Sequence, residues 1–99
     1  MTKEELKQRI CDAVEKRADD IMAFGQSVFT EPELGYKEVK TSAKVQSAFE
    51  KLNIPYTTGW GITGVKARLK GNTSKRTVAV LGEMDSIICR SHPSADENT

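Results

Sequence analysis

Glu83 and Asp85 stand two residues apart, directly after the apolar run Thr77-Val78-Ala79-Val80-Leu81. If that run is a strand, it delivers both carboxylates to its carboxyl end, which is the edge where ligands bind in open α/β sheets. Residues two apart on an extended segment point the same way, so the pair can face one crevice. Two acids so placed can hold a metal, orient a histidine ligand or move protons. The plainer reading is that they cap the following turn through bonds to backbone amides. On the residues alone the two readings balance.

Three other groupings invite chemistry and mostly fail its requirements. Cys89-Arg90-Ser91-His92 could lend two metal ligands, but a tetrahedral site needs three or four and the chain has no second Cys/His pair. Two loop residues is the favoured account. Gly59-Trp60-Gly61-Ile62-Thr63-Gly64 matches G-x-G-x-x-G, with Glu83 at a distance suited to a ribose-binding acid. The nucleotide mechanism needs the third glycine to open a helix, whereas Val65 to Leu69 alternates with period two. These glycines are therefore expected to shape a loop between two strands. Lys66, Arg68 and Lys70, with Lys75 and Arg76, form a basic row that lacks interleaved aromatics for stacking bases. It reads as a solvated strand face.

The elements that must position these residues follow from periodicity. Thr2 and Glu5 have capping-box spacing, and a stripe of Leu6, Ile10, Ala13, Val14, Ala18, Ile21, Met22, Gly25, Val28 and Phe29 predicts one helix ended by Pro32. Met22 and Phe24 are assigned to packing on it. Ser42, Val45, Phe49 and Leu52 predict a second, shorter helix that stops near Asn53 and Pro55. A weak strand near Tyr56 comes next, then a half-buried strand from Val65 to Leu69, then an interior strand at Thr77–Leu81 covered on both faces. The polar stretch from Arg90 to Thr99 is expected to be a loop. The fold class is α/β: two amphipathic helices packed on a partial mixed β-sheet, an incomplete domain whose sheet wants further helices to cover it.

Composition excludes several partners. Fifteen basic residues against fourteen acids leave a net charge of +1, too little for a global field that draws nucleic acid or a membrane surface. The charged start from Met1 to Gln8 is unlike a secretory signal, and no apolar run approaches the length of a membrane span. The expected setting is cytoplasmic, with Cys11 and Cys89 as reduced thiols.

Three ordered blocks carry a more specific signal: Pro32-Glu33-Leu34-Gly35-Tyr36-Lys37-Glu38 with Thr41-Ser42, then Ile62-Thr63-Gly64-Val65-Lys66-Ala67, then Val78-Ala79-Val80-Leu81-Gly82-Glu83-Met84-Asp85. In order and spacing they resemble the amino-terminal part of amidohydrolases related to hippurate hydrolase and the indole-acetyl-amino-acid hydrolases. That resemblance implies a hydrolase of N-acyl amino acids or similar small amides, using two divalent metal ions of the zinc or manganese class and a metal-activated water. It implies that Asp85 supports a metal ligand from behind, that Glu83, Cys89 and His92 line part of a crevice, and that Glu83 supplies no metal ligand. Residues 1–99 then form the amino-terminal segment of a single catalytic domain. The Cys-x-His segment, the base glutamate and a lid or dimerisation domain lie beyond Thr99, so the isolated chain is expected to bind no metal and to be inactive. A small-molecule amide is the implied partner of a parent compatible with a homodimer. The alternative is a small binding or interaction module without chemistry.

Overall fold

A computed structural model describes residues 1–96, which part into two compact units, Met1–Thr30 and a second beginning at Glu31. In the first unit the predicted capping box is formed. Thr2 Oγ1 accepts from the Glu5 amide at 3.1 Å, and Glu5 Oε2 accepts from the Thr2 amide at 3.2 Å. This starts helix α1 (Lys3–Lys16), which is followed by helix α2 (Ala18–Thr30) rather than continuing to Pro32. The break falls at Arg17, whose amide bonds the Val14 carbonyl three residues back at 3.0 Å, tightening the last turn. No glycine or proline marks the place. The legible signal is charge: Lys16 stands at the negative end of α1, and Asp19 and Asp20 stand in the first turn of α2. Apolar spacing runs through the break unchanged, so periodicity alone joins the two helices. Met22 and Phe24, expected in packing, stay exposed.

The second unit opens with a turn and then helix α3 (Val39–Lys51), close to the expected second helix. Its end is closed by a Schellman motif. Asn53, at φ 56°, gives its amide to the Glu50 carbonyl at 3.1 Å, and Ile54 reaches back to the Phe49 carbonyl at 3.0 Å. Pro55 then prevents further helix. The chain turns into β1 (Tyr56–Trp60) and β2 (Gly64–Ala67), an antiparallel pair, with α3 packed on β2. Val65 and Ala67 are half-buried while Lys66 is exposed, which is the alternation expected of this strand. Helices with a small sheet make the chain α/β, as its periodicity predicts.

The run Thr77–Leu81 departs from expectation. It is irregular, not an interior strand, and Val78, Val80 and Leu81 are 85%, 95% and 93% exposed. A strand needs a neighbour to take its amides and carbonyls, and among the described residues this run has none. Beyond the hairpin, a parallel bridge joins Leu34 to Ser86. Among the described residues no apolar side chain is buried; the buried positions are Glu38, Thr41 and Ser42. Among the described residues no helix is long and apolar enough to cross a membrane.

Candidate functional site

The three sequence blocks converge on the loop from Glu31 to Glu38, and the first tie is to α3. Glu38 is the residue before that helix, yet its side chain makes no capping bond. Glu33 does so from five positions upstream. Its Oε2 accepts from the Lys40 amide at 3.1 Å, and its Oε1 accepts from the Thr41 amide at 2.6 Å and the Thr41 hydroxyl at 2.8 Å. Three donors on one carboxylate favour the charged form. The Thr41 amide, ahead of the Thr41 hydroxyl and Lys40, thus holds the Glu33 carboxyl below the ordinary carboxylate range. Glu31 is depressed as well, first by Lys44 at 2.9 Å and then by Lys40 at 3.5 Å. A tight turn makes this reach possible: the Lys37 amide bonds the Leu34 carbonyl at 2.9 Å, with Tyr36 left-handed at φ 63°.

The second block meets the loop through Glu38, whose Oε2 accepts from the Thr63 hydroxyl at 3.3 Å. Its other oxygen is buried and takes no hydrogen bond among the described residues. The third block is tied to it through the residue that follows, Ser86, whose amide donates to the Glu33 carbonyl at 2.7 Å. That bond brings Asp85 beside Gly35, where an added Cβ would lie 3.9 Å from Asp85 Oδ2. Thus one turn of chain holds the start of α3, the tip of the hairpin and the acidic segment.

The other candidates are dispersed. Asp85 and Glu83 are both exposed, and no strand delivers them, because the run before them is irregular. Cys89 and His92 share a turn in which the His92 amide bonds the Cys89 carbonyl at 3.3 Å and Cys89 Sγ lies 3.6 Å from Ser91 Oγ. His92 Nδ1 accepts from the Ser94 amide at 3.0 Å, so in the neutral ring the proton sits on Nε2 and no lone pair is left over for a metal. Among the described residues no three His, Cys, Asp or Glu side chains gather as a metal site. A divalent ion therefore does not fit on these residues by themselves. The expected loop from Arg90 to Thr99 is a pair of turns as far as residue 96; its last three residues lie outside the described ones.

The glycine motif lies at the end of the hairpin, as the loop reading expects. Sequence reasoning missed what it does there. Trp60 pairs with Gly64 and Thr57 with Lys66, with an irregularity between Thr58 and Trp60, so Gly59 is an extra residue in β1. At φ 83° it forms a bulge that turns Trp60 onto the face of Lys66. An aromatic does therefore stand in the basic row, and two glycines flanking a tryptophan were the available signal.

No family model matches the sequence, and no solved structure matches it. Among curated proteins, the chain is 32% identical over 84 residues to thermostable carboxypeptidase 2 of Saccharolobus solfataricus, covering 84% of this chain and 21% of that protein. Over the same shares it is 30% identical to thermostable carboxypeptidase 1 of that organism. It is 33% identical over 99 residues to an N-acyl-L-amino acid amidohydrolase of Geobacillus stearothermophilus, covering 100% of this chain and 24% of that protein. The chain thus spans about a fifth to a quarter of the length of these relatives. Over most of its length it is related in sequence to hydrolases of the amidohydrolase and carboxypeptidase kind.

Proposed function

We propose that this chain is the amino-terminal segment of a catalytic domain that hydrolyses the amide bond of N-acyl amino acids or similar small amides. The reading is carried by a likeness that runs through all 99 residues of the chain to a protein named for that activity. It is supported by the way Glu31 to Glu38 gathers the three blocks of the sequence around Asp85. The described residues offer no metal site, so the zinc- or manganese-class ions implied by the resemblance need donors other than these. What this segment contributes in this reading is positional: Asp85, set beside Gly35, would accept a hydrogen bond from a metal-ligand side chain supplied by other polypeptide and fix its direction. Glu83, Cys89 and His92 belong to the wall of the substrate crevice in this reading. A cytoplasmic setting goes with it, since Cys11 and Cys89 are both free and exposed.

The test is Asp85→Ala in a polypeptide that continues past Thr99, assayed for release of amino acid from an N-acetyl amino acid. A loss in kcat/KM of about 10- to 100-fold is expected, the size typical when a supporting group behind a ligand is removed. Unchanged turnover would favour a module without chemistry.

A further inference from the structure

We infer that the face of the hairpin carrying Trp60, Lys66 and Arg68 is a binding site for a small aryl carboxylate. Three features build it. The bulge at Gly59 brings Trp60 onto the same face as Thr57 and Lys66, although strict alternation would turn it away. Opposite Trp60 stands Gly64, where a Cβ would lie 2.2 Å from the Trp60 carbonyl oxygen and 3.1 Å from its Cβ, so the missing side chain is what lets the indole sit there. The indole N–H then donates to Thr57 Oγ1 at 2.8 Å, fixing the ring.

The result is an open groove of about 330 Å³ whose lining includes Pro55, Tyr56, Trp60, Lys66 and Arg68. Its size falls in the range of small-molecule sites. The Lys66 ammonium lies 4.7 Å from the indole centroid, and Arg68 lines the groove two residues on. Among the described residues neither is held in an ion pair, and no acid lines the groove. Glu50, from α3, is engaged by the Tyr56 hydroxyl. Lys66 rests on the indole in the free chain, and a flat ring that takes its place there, with a carboxylate reaching the displaced Lys66 and Arg68, satisfies both the apolar surface and two cations that no carboxylate pairs among the described residues. Binding here is independent of whether the chain serves a hydrolase.

Trp60 is the sole tryptophan, so its fluorescence reports on this groove. The full chain is titrated with phenylacetate, with benzyl alcohol as a ring without charge, acetate as charge without ring, and a short oligothymidylate. Expected is a saturable change with phenylacetate that weakens with added salt, and at least about tenfold weaker responses to the two controls. Lys66→Gln and Arg68→Gln should each weaken phenylacetate binding about tenfold with the circular dichroism unchanged. Trp60→Ala, followed through broadening of the ligand's proton resonances, should abolish it. Equal response to benzyl alcohol, indifference to both charge removals, absence of saturation, or tighter binding of the oligonucleotide would each overturn the assignment.

Discussion

The loop from Glu31 to Glu38 and the run from Thr77 to Leu81 invert the usual relation between polarity and burial. The loop is charged, yet it borders the most buried positions in the chain: Thr41 is 2% exposed and Glu38 8%. The run is the most apolar stretch of the second unit, yet Val80 and Leu81 stand almost wholly in solvent. The difference lies in partners. Glu33 meets amides that α3 must leave unbonded at its first turn, so the loop and the helix complete one another within a few residues. The strand-forming run has nothing comparable, because hydropathy drives burial only where a surface exists to be buried against.

Four changes would break or sharpen this contrast. The largest effect is expected at Gly64, on the hairpin that Glu38 holds through Thr63. Gly64→Ala sets a Cβ against the Trp60 backbone and should cost about 1–3 kcal/mol, seen as lost Trp60 ordering and an early hairpin transition by near-ultraviolet circular dichroism. Next is Thr41→Val, which keeps the shape but removes the hydroxyl bonded to Glu33. About 1 kcal/mol of α3 stability should disappear, measured by denaturant unfolding.

A smaller effect, screened by solvent, belongs to pH. Because the folded pKa of Glu33 lies below its unfolded value, its contribution is complete above the unfolded value and is lost as pH falls through the folded one. Acid titration of helicity should show that loss, and Glu33→Gln should remove it. If the variant titrates like the original chain, Glu33 is not the cap that matters. Smallest for stability is Leu81→Lys, expected to change unfolding by no more than about 0.5 kcal/mol because the side chain touches so little. Its readout is association: sedimentation should show less self-association than in the original chain. Unfolding that shifted as strongly as in Thr41→Val would mean that the run is covered after all.

Legibility in the sequence followed the range of the interaction. The Thr2–Glu5 box, the Asn53 terminus and the alternation of Val65, Lys66 and Ala67 depend on neighbours a few positions away, and all were readable from spacing. The break at Arg17 was hidden because the apolar stripe crosses it, although Lys16, Asp19 and Asp20 mark it electrostatically. Trp60 beside Lys66 was missed because counting by twos ignores a bulge. Of the candidate site, Asp85 could be singled out by its place after the apolar run and by the resemblance, but its neighbour Gly35 lies far away in sequence and only the folded backbone introduces them. Thr77–Leu81 has strand-forming residues in the right order, and propensity carries no information on whether an adjacent strand exists.

The bridge between Leu34 and Ser86 also sets a timetable. Helix α3 and the hairpin close over short stretches of chain, so each can form on the microsecond scale as soon as its residues leave the ribosome. Joining residue 34 to residue 86 must wait for all the chain between them and carries a larger closure entropy. A nascent polypeptide therefore passes through a stage in which the residues around Val80 have emerged before the clasp behind Asp85 has shut.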